Sequence, residues 1–102
     1  MLSNSRQIAI GTKLKINGKI SGQEEQSEFQ AFVHSNTPNY LFVKMDDSAE
    51  TAEVDKFSSL TVRFSPLRQK KIYQFQAAPQ GLGKNGLLRI SHSDYIKIVE
   101  EL

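Results

Sequence analysis

The chain has 102 residues, 38% of them apolar, with no Trp, no Cys and a formal charge of +2. That length suits one domain with a modest core, and the lack of Cys excludes disulfides, thiolate chemistry and Cys-based zinc sites. No stretch reaches the ~20 apolar residues of a membrane helix, and Met1 to Arg6 lacks the apolar core of a signal peptide, so a cytoplasmic protein without membrane insertion is expected.

Charge is segregated along the chain. Between Glu24 and Asp55 lie eight acids and one base, Lys44, whereas between Lys56 and Arg89 lie seven bases and no acid. Fields add over a surface, so the second half is expected to offer a positive face to an anion, unless acidic loops lie beside it.

Residues 1–8 read as a flexible leader and residues 9–102 as a single β-barrel domain. Gly11 to Ile20 alternates, with Leu14, Ile16 and Ile20 on one face and Lys13, Lys15, Asn17 and Lys19 on the other. Period two is the mark of a strand with one buried and one wet face. Gly18 interrupts the apolar series and predicts a bulge or a close backbone approach. Glu28 to His34 is a second strand, with Phe29, Ala31 and Val33 opposite Phe32. Asn36-Thr-Pro-Asn39 has turn chemistry. Tyr40 to Met45 is a third strand with apolar groups on both faces: Leu41, Val43 and Met45 on one, Tyr40 and Phe42 on the other.

Asp46 to Lys56 is an acidic connection with room for a helical turn or a short edge strand near Ala52 to Val54. Leu60-Thr-Val-Arg-Phe64 and Ile72-Tyr-Gln-Phe-Gln-Ala77 form a hairpin, with Leu60, Val62, Phe64, Tyr73, Phe75 and Ala77 inward and a basic tip at 65–71. Pro79 to Gly86 reads as a turn ending in Asn85-Gly86, a strong hairpin signal, and Leu87 to Ser91 as the sixth strand. In the tail, Ser93 can cap a helix. Tyr95, Ile98, Val99 and Leu102 recur at three- and four-residue spacing, the stripe of an amphipathic helix. The fold class expected is therefore mainly β: a small split β-barrel of about six antiparallel strands with a short C-terminal helix.

Catalytic material is sparse. His34 and His92 lack neighbours at metal-ligand spacing, and Asp46-Asp47 lacks the Gly of a calcium loop. Gly81-Leu-Gly-Lys-Asn-Gly86 spells G-x-G-x-x-G, but between two strands rather than at the strand-to-helix turn where that motif holds a pyrophosphate. No enzyme activity, cofactor or metal is expected. The basic residues Arg63, Arg68, Lys70, Lys71 and Arg89 are the candidate contacts for a ligand or partner, since Arg forks suit phosphate oxygens. Phe32, Tyr40 and Phe42 are candidate interface aromatics, able to stack on bases if exposed and otherwise core.

The order of features resembles a known family. Ile10-Gly-Thr-Lys-Leu-Lys-Ile16 is similar to the Gly-x-x-Leu-x-Ile opening of the N-terminal domain of flagellar-brake (YcgR-like) proteins. Phe29 to Val43 resembles that domain's next hairpin, and Leu60 to Phe64, Ile72 to Ala77 and Leu87 to Ser91 resemble its later strands. The resemblance implies a split barrel placed beside a PilZ domain, in a pair that responds to cyclic di-GMP. The family's nucleotide ligands sit in an Arg-x-x-x-Arg linker and an Asp/Asn-x-Ser-x-x-Gly strand of the PilZ half. Here Arg63 and Arg68 are one residue too far apart, and Asp46 to Thr51 has Thr where Gly is required. The expectation is a non-catalytic regulatory module working by protein docking, with cyclic di-GMP engaged at most indirectly. Its partner would be another protein or an adjacent PilZ-type domain, or a second copy paired through an exposed Tyr40–Phe42 strand. A nucleic-acid-binding barrel and a divergent PilZ domain that binds no ligand are the alternatives.

Overall fold

Alternation of apolar and polar residues sets nearly the whole architecture. The structure, a computed structural model, describes residues 4–19, 26–45, 57–66, 70–82 and 87–101. Eight strands follow a short 3-10 turn at Ser5–Gln7: β1 Lys13–Lys19, β2 Gln26–Asn36, β3 Tyr40–Met45, β4 Ser59–Phe64, β5 Lys71–Ala77, β6 Pro79–Leu82, β7 Leu87–Ser91 and β8 Lys97–Glu101. All pair antiparallel in one sheet, ordered β6-β7-β3-β2-β1-β4-β5-β8. The sheet curls on itself into a half-barrel, so the protein is mainly β.

The core is the inward set of each strand. Leu14 and Ile16 of β1, Ala31 and Val33 of β2, and Leu41, Val43 and Met45 of β3 are buried. So are Leu60, Val62 and Phe64 of β4, Tyr73, Phe75 and Ala77 of β5, and Leu88 and Ile90 of β7. Each large apolar side chain taken out of water contributes about 1.5–3 kcal/mol. Aromatic rings complete one side: Phe64 stacks on its cross-strand partner Tyr73 at 5.6 Å and meets Phe75 edge-on at 6.2 Å. Gly18 serves close approach rather than a bulge. The ring of Phe57 lies on its backbone, where a Cβ would fall 2.5 Å from Cε2, and Phe57 stacks in turn on Phe29.

Four sequence expectations are corrected. Asn4 to Ile8 is a packed turn rather than a flexible leader: Asn4 and Gln7 form a reciprocal capping box, and Ser5 and Ile8 are buried. Pro79–Leu82 is an edge strand paired with β7 rather than part of the turn; Pro79 opens the strand, a position where the missing N–H is tolerated. The strand count is eight instead of about six.

The C-terminal helix is absent. Lys97–Glu101 is a strand on the outer edge of β5, matching Gln74 to Lys97, Tyr73 to Ile98 and Lys71 to Glu101. A helix of some nine residues is marginal in water, whereas a strand here satisfies the backbone of β5 and suits the β-branched Ile98 and Val99. Ser93 closes a local turn, its Oγ accepting from the Tyr95 N–H, instead of capping a helix. Ile96 is the residue buried; Tyr95 is 72% exposed. The acidic connection, with the helical turn or short edge strand expected near Ala52 to Val54, and the residues Ile20, Arg68, Asn85, Gly86 and Leu102, lie outside the described residues.

A cationic groove as candidate functional site

The sheet order puts β1 at the centre, between β2 and β4, so its lysine face becomes the middle of the outer surface. Register then builds rows across the strands. In one row Lys13 stands opposite Phe32, and Phe32 opposite Lys44. Two residues along, Gln30 stands opposite Lys15, Lys15 opposite Arg63, and Arg63 opposite Gln74. Strands lie ~4.8 Å apart and same-face residues of one strand ~6.7 Å apart, so the two rows frame a strip crossing the strands.

That strip is a groove of about 970 Å³. Lys13, Lys15, Gln30, Phe32, Lys44 and Arg63 form its walls. Leu14, Ala31, Met45 and Phe64, all buried, also line it. At the end nearest β8 the lining changes to Ile72, Val99 and Glu100. Among the described residues the groove's four cations outnumber its acids, Glu100 in the lining and Glu28 beside Lys15, so its middle is electropositive and one end is apolar and acidic.

Two side chains are held in place. Arg63 Nε donates to Gln74 Oε1 at 2.7 Å, and Gln74 is 9% exposed despite facing outward. Lys15 Nζ lies 3.4 Å from Glu28 Oε1, both half-exposed, an ion pair of small energetic weight in water. Phe32 is 42% exposed on the groove wall.

The predicted contact residues do not converge. Arg63 belongs to the groove, but Lys70 is exposed before β5 and Lys71 is half-buried on β5 opposite Glu101. Arg68 lies outside the described residues. Arg89 is on β7, four strands from Arg63, where its guanidinium covers the Tyr40 ring at 4.6 Å and donates to the Gln80 carbonyl. A cation on an aromatic face at such a site contributes ~0.5–1 kcal/mol. Tyr40 and Phe42 are therefore half-buried members of an internal strand. β3 is paired on both sides, by β2 and β7, so it cannot dimerise by edge pairing. Of the three aromatics, Phe32 alone is placed in the groove.

Lys13, Lys15, Gln30 and Lys44 are the contacts that motif reasoning passed over. For Lys13 and Lys15 the signal was the alternation of β1 itself, which puts its lysines on one face. Among the described residues no three His, Asp or Glu side chains converge as a metal site, and no helix is long and apolar enough to cross a membrane. The described surface thus defines a half-barrel with a cationic transverse groove. No family model, curated protein or solved structure matches the chain.

Proposed function

We propose that this protein is a non-catalytic interaction module that docks an extended, acidic segment of a partner protein in the groove. The observation that carries the reading is the mixed lining. Lys13, Lys15, Lys44 and Arg63 suit carboxylates, whereas Phe32, Ile72 and Val99 suit apolar side chains, and Glu100 would repel a uniform polyanion at that end. Electrostatic complementarity of this kind steers encounter and fixes register. The resemblance of the strands to the YcgR-like domain supports a role in cyclic di-GMP signalling, in which the module would follow an adjacent or partner PilZ-type domain instead of holding the nucleotide itself.

The second reading is single-stranded nucleic acid, favoured by the exposed Phe32 ring standing between Lys13 and Lys44 in one row, an arrangement that can stack a base between two phosphate contacts. The test is anisotropy titration of fluorescent acidic-apolar peptides, a single-stranded oligonucleotide and cyclic di-GMP, at about 50 and 200 mM salt. Docking predicts that a peptide binds at both salts and is lost in the Lys13→Glu/Arg63→Glu double variant, with no saturable binding of cyclic di-GMP. Oligonucleotide binding alone, falling steeply with salt, overturns docking for the second reading. Saturable binding of the dinucleotide overturns the indirect role.

A further inference from the structure

We infer that Lys13, Lys15 and Arg63 form an oxyanion site for a phosphate monoester dianion. The inference rests on the docking reading for its carrier, since it makes the docked segment a phosphorylated one.

The argument begins from a cost. Lys15 and Arg63 stand directly opposite on the adjacent strands β1 and β4, and like charges in that relation oppose strand pairing. Lys13 lies two residues along β1, on the same face and about 6.7 Å away in backbone spacing. Among the described residues, Glu28 lies 3.4 Å from Lys15, half-exposed, and Glu100 lines the groove at the end nearest β8. With Lys44 on the same groove wall, the cations still outnumber these two carboxylates, an excess that suits a phosphate dianion better than a single carboxylate.

Geometry points the same way. Gln74, nine-tenths buried, takes the Nε–H of Arg63 and so fixes the plane of the guanidinium. Its remaining N–H groups are on the two Nη nitrogens, the fork that grips phosphate oxygens in parallel. The two lysines add compact charges that adapt to the third oxygen. A phosphoserine on an extended segment would reach this point while its neighbours contact Phe32 and Lys44.

The experiment uses the intact chain in two arms. Inorganic phosphate is titrated with backbone NMR detection. A phosphoserine peptide is then compared with its Ser and Asp counterparts and with a 5′-phosphorylated oligonucleotide. The expected result is that phosphate shifts the amides of Lys13, Lys15 and Arg63, and that the phosphopeptide binds at least about tenfold tighter than either counterpart. Arg63→Gln should abolish that preference and Arg63→Lys, which keeps charge but loses the fork, should weaken it; Lys19→Gln, at the far end of β1, should leave it intact. Thermal melts of each variant confirm folding. Acidic peptide bound in the groove with no response to phosphate overturns the oxyanion site and leaves docking standing. Phosphate and the 5′-phosphorylated oligonucleotide bound without any peptide overturns docking and assigns the phosphate to a nucleic-acid source.

Discussion

The ring of Phe57 packs flat against the backbone of Gly18, in the space any side chain at that position would fill. This contact joins the chain preceding β4 to the C-terminal end of β1, where Ser58 also donates to the Lys19 carbonyl. Gly18→Ala is expected to destabilise by about 1–3 kcal/mol through overpacking, measured by chemical denaturation. Combining it with Phe57→Leu should recover part of the loss, with a coupling of roughly 0.5–3 kcal/mol. Simple additivity would mean that the ring gives way freely.

Ser5 ties the N-terminal turn to the strand end before β8. Its buried Oγ accepts from the Ser93 N–H at 2.7 Å and lies 2.8 Å from His92 Nδ1, while His92 Nε2 meets the Thr37 carbonyl at 2.6 Å. Ser5→Ala leaves the Ser93 N–H without that partner and should cost about 1–3 kcal/mol. The neighbouring Arg6–Asp94 pair, at 2.6 Å but largely exposed, should matter far less: Asp94→Asn is expected within about 0–1 kcal/mol. Equal losses in the two variants would contradict this ranking.

Asn36 makes a sharper prediction. Its Nδ2 donates to the carbonyls of Ser5, Arg6 and Ile8, while Oδ1 is buried without a hydrogen-bond partner. Two amide hydrogens thus serve three acceptors. Asn36→Ala removes the donors, at about 1–3 kcal/mol. Asn36→Asp turns a carboxylate toward three carbonyl oxygens and should be worse than Ala at neutral pH. A denaturation series in which Asp equals or exceeds wild type would refute the clasp.

β8 should be necessary to the edge of β5. Ile98→Pro breaks the strand opposite Tyr73, and the amides of Lys71 to Gln74 are expected to lose hydrogen-exchange protection. Far-UV circular dichroism of the wild type should lack the double minimum of a helix. A helical spectrum would restore the amphipathic tail that the spacing suggests.

That tail shows where sequence periodicity stops being decisive. Ile98, Val99 and Leu102 fit a helical stripe, yet Ile96 and Ile98 also alternate at period two, and a run this short satisfies both patterns. The tie is broken by β5, whose outer backbone groups need partners, a demand invisible in the local residues. The strands with longer alternation were readable: Tyr40–Met45 and Leu87–Ser91 coincide with β3 and β7, and the inward sets of β4 and β5 are the buried ones.

The site was harder to read for the same reason. Basic residues close in sequence, such as Lys70 and Lys71, suggest a patch, but the groove draws Lys13, Lys44 and Arg63 from three strands far apart in the chain. Only the placement of β1 between β2 and β4 makes them neighbours. Arg63 was identifiable because it points outward from an unmistakable strand; Lys44 stood out only as the single base in an acidic stretch.

The Ser5–Ser93 contact spans 88 residues and shuts the chain into a loop held without a covalent link. Closing so long a loop costs entropy before its contacts repay it, and a sheet built from distant pairings folds slowly. The latch is therefore expected to form late, after β1, β2 and β4 have assembled. Its loss should speed unfolding more than it slows folding, which makes it a kinetic fastening as much as a thermodynamic one.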